Sequence, residues 1–431
     1  MRLCLVASKP TDSVIYGLLP AAARLGLEVV LLTDRPEAHE LARARARELP
    51  RPGCPRPGTE NDGRRDGRAD SPGEGPPVRL LGCDVWDARE LIGAIAGLPA
   101  ADAIVSNSDR LQTEAALAAA YFDLPGKDWR SAMRAKNKFL MRRRLAAAGT
   151  EHVAAAEIRP GTGQMPPDLR YPLVLKPAEG VASEDVMLVI SPEELAEASA
   201  RLFARRPGET LLAEEYQPGQ LRTMETLGDG KTTWVLGGFR TAVSPLPFFI
   251  EERLTWDAPA DAARGHVLGA LGALGGTFGA CHTEYVDGDR GPVLIEVNDR
   301  LIGDHCDFVL SDLLGVDLFE LVLRVHLGEP LPAEPPRPWG GTGHAVIDYV
   351  VADRPGVLNA VPPAGPRSAD EPDVLLSYRP LREAGDRIVI THTNRDYLGV
   401  ISAIGPDAGA VERTVAVARA AGGWAVTGPT P

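Results

Sequence analysis

Short apolar runs alternate with amphipathic stretches over the first 125 residues. Segments 3–7, 28–33, 78–83 and 103–106 have strand length and are rich in Val, Leu and Ile. The segments around 14–25, 36–48 and 88–96, and one ending at Tyr121, carry helical spacing. Strands alternating with helices imply parallel pairing and a doubly wound α/β domain. Such sheets hold ligands beyond the carboxyl ends of their strands, where Ser8, Lys9, Asn107, Ser108 and Asp109 fall. No G-x-G-x-x-G is present, so a dinucleotide is not indicated. Residues 50–77 (PRPGCPRPGTENDGRRDGRADSPGEGPP) break all periodicity, which predicts a disordered insertion in a surface loop.

Residues 131–148 (SAMRAKNKFLMRRRLAAA) read as one helix, with Met133, Phe139, Leu140 and Leu145 on its apolar side and Gly149 as its stop. Its lysines and arginines are most simply a solvated face. The strand 171–176 (YPLVLK) finishes in Lys176, whose charge must reach solvent or an anion. A lysine at the rim of an ordinary hairpin is the plain alternative. Behind it, the backbone N–H groups of 180–183, Ser183 included, could line a phosphate.

A strand at 185–190, a helix at 192–202 and a strand at 210–216 follow, the last ending in Glu214-Glu215-Tyr216 before Gln-Pro-Gly. Strands at 223–227 and 232–240 lead to a Pro/Phe segment between Arg240 and Arg253, then helices at 261–274 and 311–327. The Pro-rich stretch from 330 reads as a linker. Beyond it, segments 344–351, 374–377, 387–393 and 398–403 predict a small β-rich lobe closed by a helix at 408–421. The resulting division is 1–125, 126–330 and 331–431.

The stretch 279–304 (GACHTEYVDGDRGPVLIEVNDRLIGD) organises the rest. It predicts strands at 280–286 and 292–298 joined by a tight Asp-Gly-Asp-Arg-Gly turn. Side chains alternate along a strand, so Glu296, Asn298 and Arg300 share one face while Val293, Ile295 and Val297 fill the other. A turn centred near Arg290 makes Glu284 and Glu296 cross-strand partners. Like charges so placed repel, and two carboxylates with an amide oxygen attract a cation. All-oxygen ligation by few protein groups suits Mg²⁺. Arg300, a fixed cationic fork beside them, suits phosphate or acyl-phosphate oxygens. An exposed hairpin with solvated acids is the competing reading.

Composition narrows the partners. A net charge of −13 opposes general binding to nucleic acid or an anionic membrane, so a polyanion site must be a local cluster of Lys and Arg. Five scattered cysteines without a C-x-x-C favour a reduced, cytoplasmic compartment. No apolar run spans a bilayer, and MRLCLVAS is too short for a signal peptide and reads as a first strand.

Four elements then stand in a recognisable order: a helix carrying Lys138 after an α/β domain, the strand-terminal Lys176, the Glu-Glu-Tyr strand end, and the Glu…Glu-x-Asn-x-Arg hairpin. The chain resembles the ATP-grasp superfamily over nearly its whole length. The resemblance implies an N-terminal α/β domain, a two-lobed α+β ATP-grasp domain over 126–330 and a C-terminal lobe. It implies that Lys138 and Lys176 contact ATP phosphates and that Glu214, Glu215 and Tyr216 lie where backbone groups read adenine. Glu284, Glu296 and Asn298 would hold Mg²⁺, and Arg300 would steady an acyl phosphate. Two departures stand out. The usual ribose-binding glutamate is replaced by Leu221, with Glu225 the candidate substitute. Glu184 and Asp185 occupy a phosphate loop that often carries Gly or a basic residue.

The implied activity is an ADP-forming ligase joining a small-molecule carboxylate to an amine, most like members serving amino-acid, siderophore or other natural-product pathways. Arg240 is a candidate for the carboxylate. Asp304, with His305, either meets the incoming ammonium or caps the following helix. Dimers are common among relatives, so the resemblance allows a homodimer. A biotin-carboxylase-like or purine-type carboxylase, and a catalytically silent nucleotide binder, are the rival readings.

Overall fold

The computed structural model describes residues 1–46, 48–54, 78–160 and 169–428. Its α/β architecture follows the sequence pattern: a doubly wound N-terminal domain, a two-lobed α+β unit and a small β-rich lobe.

In the first domain the parallel strands Arg2–Val6, Glu28–Thr33, Val78–Gly82 and Ala103–Val105 lie in the order third, second, first, fourth. The order reverses between the first and fourth strands, so a crevice opens beyond their carboxyl ends, next to Ser8, Ser108 and Asp109. The helix expected over 14–25 starts as a π-helical turn, Ser13–Leu18, before the α-helix Leu19–Arg24. Part of the segment expected to be disordered is packed. Cys54 is buried and its thiol contacts the Ser402 carbonyl at 3.2 Å, while Arg51 pairs with Asp312 at 3.0 Å. The remainder of that expectation, 55–77, lies outside the described residues.

The single helix expected over 131–148 is two, Trp129–Lys136 and Lys138–Ala147. Asn137 adopts extended dihedrals and its side chain accepts from the Leu140 amide, capping the second helix. The expected apolar stripe is correspondingly uneven. Leu145 is buried, but Met133 is exposed.

The smaller lobe is an antiparallel sheet ordered Ala155–Ile158, Leu211–Glu215, Leu173–Pro177, Met187–Val189 and backed by the helix Pro192–Arg205. The larger lobe is built on a ten-stranded sheet. From one edge it runs Gly291–Asn298, Phe278–Gly288, Gln220–Asp229, Phe239–Val243 and Glu251–Trp256. It continues without a break through His344–Val351, Tyr397–Gly405, Leu375–Pro380 and Gly365–Arg367, while Thr233–Gly237 pairs with Gln220–Asp229. Backbone pairing therefore crosses residue 330, with Leu254 opposite Ile347.

The strand expected over 232–240 breaks at Gly237-Gly238. A Cβ on Gly237 would sit 1.8 Å from the Trp256 ring, and its φ of +128° belongs to glycine. The helix expected over 311–327 is also two, Cys306–Leu314 and Leu318–His326, because Gly315 is left-handed. The strand expected over 387–393 stops at Ile388, and Asp396 instead gathers the amides of Thr391 and His392 into a turn. No helix among the described residues is long and apolar enough to cross a membrane.

Candidate active site

The hairpin Phe278–Gly288 and Gly291–Asn298 is joined by Asp289 and Arg290, and Glu284 lies opposite Glu296 as the sequence predicts. The route to that pairing differs from the expected one. Tyr285 pairs with Leu294, so a two-residue turn alone would set Glu284 against Ile295. Ile295 is instead bulged out, and the register shifts by one. A β-bulge re-aims every side chain beyond it. The expected apolar set of Val293, Ile295 and Val297 is thus corrected: Leu294 and Val297 face the core, on either side of the bulge. Glu296 and Asn298 are lifted onto the face that carries Glu284 and His282.

That face is densely charged. Lys138 Nζ lies 3.1 Å from Glu296 Oε2 and donates to the Gly180 carbonyl at 2.9 Å. Burial, followed by the charges of Glu284 and Asp109, pushes the Glu296 carboxyl up against the pull of Lys138. Glu284 is held down, against burial, by His282. The His282 ring sits between two acids, Nδ1 2.8 Å from Glu225 Oε1 and Nε2 3.4 Å from Glu284 Oε1. Against burial, these carboxylates raise its pKa well above the ordinary value. Glu251 stands near the same group, and burial with the charge of Glu284 pushes it up to about 8.

Like Lys138, the other two cations expected at the phosphates, Lys176 and Arg300, already have anionic partners. Lys176 Nζ is 2.5 Å from Glu214 Oε1, and Arg142 Nε donates to Glu214 Oε2 at 2.8 Å. Arg142 also pairs with Glu151 at 2.8 Å. Burial lowers the Lys176 pKa despite Glu214. Against burial, Arg142 and Lys176 hold Glu214 down to about 2. Arg300 forms a two-pronged pair with Asp109, its second prong at 2.8 Å, so the N-terminal domain reaches the hairpin through one side chain. The cleft between these groups is lined by Asp109, Gln112, Lys136, Gly180, Glu296 and Asn298.

The outlying candidates are distributed as follows. Glu215 is half-buried and 3.4 Å from Arg290 of the hairpin turn, and Tyr216 packs beside Phe249 with ring centroids 6.4 Å apart. Arg240 is exposed on Phe239–Val243. Arg253 pairs with Asp348 at 2.9 Å and Glu412 at 3.1 Å, which ties it to the β-rich lobe. Asp304 and His305 are both left-handed, with φ of 53° and 72°. No side chain caps the helix Cys306–Leu314, so the capping alternative for this pair falls away.

No model of a known protein family matches the chain. It is 30% identical over 324 residues to the uncharacterized protein y4rH of Sinorhizobium fredii (strain NBRC 101917 / NGR234), a match covering 71% of this chain and 64% of that protein. It is 23% identical over 243 residues to dapdiamide A synthase of Enterobacter agglomerans, covering 53% of this chain and 57% of the synthase. The chain thus matches less than two thirds of the length of either relative. Among solved structures, the L-amino acid ligase from Bacillus licheniformis superposes with a TM-score of 0.72 at 21% identity, covering 100% of this chain and 99% of the ligase. The chain has the ATP-grasp fold.

Within the ATP-grasp frame, the residues present fit a divalent cation in one specific respect. The Asn298 amide lies 3.1 Å from Asp109 Oδ1 and 3.0 Å from Glu296 Oε1. With its nitrogen inward it donates to both. With its oxygen inward it completes an all-oxygen set of the kind Mg²⁺ takes. No preformed cluster of three or more His, Cys, Asp or Glu side chains suited to a metal occurs among the described residues, so phosphate or water oxygens would have to complete the shell.

Of the two departures from the ATP-grasp pattern, the acidic loop at Glu184 and Asp185 has a structural account and Leu221 has none. Glu225 is 3% exposed and engaged with His282, which places it behind the hairpin acids. Glu184 and Asp185 face arginines: Arg206 lies 3.0 Å from Glu184 and 2.5 Å from Asp185, and Arg395 contacts Glu184. The loop carrying them holds Ala182, Ser183 and Asp185 at positive φ.

Sequence reasoning passed over Arg142 and His282 as partners in the site, and placed Asp109 at the crevice of the first domain without its partner Arg300. Arg142 had a signal, since it is four residues from Lys138 and so on the same helical face. His282 had one too, two residues before Glu284 on a strand. The Asp109–Arg300 pairing had none, because it joins residues 191 apart.

Proposed function

We propose that the chain is an ATP- and Mg²⁺-dependent ligase that joins a small carboxylic acid to an amine, forming an amide with ADP and phosphate as co-products. The observation that carries this reading is the bulged hairpin. It sets Glu284 against Glu296, with Lys138 and Asn298 in contact with Glu296 and the Asp109-held Arg300 beside them. Phosphoryl transfer needs positioning and charge neutralisation more than covalent participation by the protein, and this face provides both.

In this reading Glu284, Glu296 and Asn298 hold Mg²⁺, which neutralises phosphate charge when bound. Lys138 and Lys176 meet ATP phosphates, with Lys176 exchanging Glu214 for a phosphate oxygen. The backbone of Glu214–Tyr216 and of the loop around Ser183 flanks the nucleotide. The substrate carboxylate attacks the γ-phosphorus, its bond to the bridging oxygen breaks, and ADP leaves. Arg300 steadies the resulting acyl phosphate. The amine nitrogen then attacks the acyl carbon, phosphate departs, and the nitrogen loses its extra proton. Arg240 and Asp304 are the substrate-facing candidates.

The names of the similar proteins support an amino-acid substrate and a natural-product pathway. A cytoplasmic location and a homodimer complete the proposal. The test is ADP and phosphate release with Mg-ATP across amino acids and small polycarboxylates, singly and in pairs. Turnover that requires both a carboxylate and an amine supports the ligase. Turnover stimulated by bicarbonate alone would replace it with a carboxylase, and ATP binding without turnover on any pair would replace it with a silent nucleotide binder.

A further inference from the structure

The turn Thr391–Asp396 belongs to the β-rich lobe and is rigid in its own right. Asp396 accepts from the Thr391 amide at 2.9 Å, the Thr391 hydroxyl at 2.6 Å and the His392 amide at 2.8 Å. Thr393 Oγ1 accepts from the Arg395 amide at 3.1 Å. Behind the turn, Ala352 donates to the Asp396 carbonyl at 2.9 Å and Arg382 to the Arg395 carbonyl at 2.6 Å. Such a turn has little entropy left to lose when it docks.

Its outward groups all touch elements of the site. The Asn394 amide donates to the Ala182 carbonyl at 3.3 Å, in the phosphate-facing loop. The Asn394 side chain accepts from the Glu251 amide at 3.2 Å and donates to Glu251 Oε2 at 3.4 Å. Arg395 pairs with Glu184, whose side chain is 10% exposed. The His392 ring stacks on Phe248, with centroids 4.2 Å apart and planes 2° apart. One turn therefore grips the loop around 179–186, the Pro/Phe segment and the half-buried Glu251 together.

We propose that Asn394 and Arg395 are positioning residues, and that the turn they sit on is a latch holding the phosphate-facing loop closed against the β-rich lobe. This rests on the ligase reading only in that the loop is taken to face nucleotide. The latch explains why acids replace Gly or basic residues at 184 and 185. They are handles for arginines on either side, Arg395 in the latch and Arg205 and Arg206 at the end of the lobe's helix. It also links loop closure to Glu251, since Asn394 bonds both. Arg395 is largely exposed, at 59% of its side chain, and exposed ion pairs contribute little. At Asn394 only the backbone N–H reaches the loop while the side chain holds Glu251, so Arg395 is the latch's side-chain grip on the loop and Asn394 fastens the latch to Glu251.

The test uses Arg395→Gln, Asn394→Ala, Glu184→Gln and the Arg395→Gln/Glu184→Gln double variant of the full chain. Hydrogen exchange over 179–186 without nucleotide is read beside KM for ATP and kcat. Exchange is expected to rise about threefold in Arg395→Gln and in Glu184→Gln, and to change less in Asn394→Ala, which keeps the backbone bond to Ala182. KM for ATP should rise in parallel while kcat changes less. The double variant should be no looser at the Arg395 contact than Arg395→Gln alone. Unchanged exchange in both Arg395→Gln and Glu184→Gln overturns the latch, as does faster exchange with KM unmoved. Exchange needs no turnover, so a wild-type chain inactive on every substrate pair refutes the ligase, while the exchange arm still decides the latch.

Discussion

Replacing Glu214 by Gln tests the buried charge arrangement most directly. Glu214 is 3% exposed and bonds both Lys176 and Arg142. Breaking a buried ion pair from one side costs about 3–5 kcal/mol, because the remaining charge stays desolvated. Arg142 keeps Glu151, so the uncompensated group is Lys176, and the lower figure of about 3 kcal/mol applies. The wild-type carboxylate gives an independent figure. Its pKa falls from 4.5 to about 2 on folding, worth about 3 kcal/mol at roughly 1.4 kcal/mol per tenfold change in proton affinity.

The two forms depend on pH in different ways. In the wild type the Glu214 contribution is present above pH 4.5 and is lost as pH falls towards 2. In the variant Lys176, its pKa already lowered by burial, binds fewer protons folded than unfolded, so stability rises with pH towards the ordinary lysine value. Urea unfolding at pH 6, 7.5 and 9 reads both the loss and the slope. Mg-ATP adds a further arm. If phosphate takes Glu214's place beside Lys176, saturating nucleotide should stabilise the variant more than the wild type. A loss under about 1 kcal/mol with no pH slope would refute the assignment of a buried, charge-dependent Lys176.

Three further outcomes are expected. Glu296→Gln should abolish Mg²⁺-dependent turnover while leaving the melting temperature within a few degrees, read by kinetics and calorimetry; full activity would rule out the metal assignment. Asp307 is buried with Ser13 Oγ 2.5 Å away, and burial pushes it up to about 7. Its folded form holds its proton where the unfolded form has lost it, so stability should fall as pH rises from about 4 through 7, and Asp307→Asn should flatten that slope in a pH series of urea midpoints. Gly237→Ala should cost at least about 3 kcal/mol in the same assay, since the new methyl meets the Trp256 ring and the backbone is left-handed.

The sequence made the layers and the chemistry of the hairpin legible because both rest on local periodicity. Alternating apolar runs marked the parallel sheet, and six-residue spacing from a turn marked the two acids. The bulge at Ile295 was not legible, since nothing in Leu-Ile-Glu-Val distinguishes a regular strand from one with an extra residue. Glu284 met Glu296 because the two-residue turn and the bulge combine to give the register of a turn centred on Arg290. The break at Asn137 was readable in principle, as an N-cap residue within a helical pattern. The pairing of Lys176 with Glu214 and of Arg300 with Asp109 depends on tertiary placement, which spacing does not encode.

The strand Glu251–Trp256 receives its second partner from His344–Val351, well downstream. During synthesis that edge emerges roughly a hundred residues before the strand that covers it. At about 5–20 residues per second the nascent chain carries an open sheet edge for several seconds or more. An uncovered edge is a template for any extended segment nearby. The run Glu251-Glu252-Arg253 places three charged side chains along it, which blunts such pairing until Asp348 arrives to claim Arg253. The same residues that fasten the finished lobe thus shield the unfinished one, and neutralising them should show first as loss of soluble yield during expression.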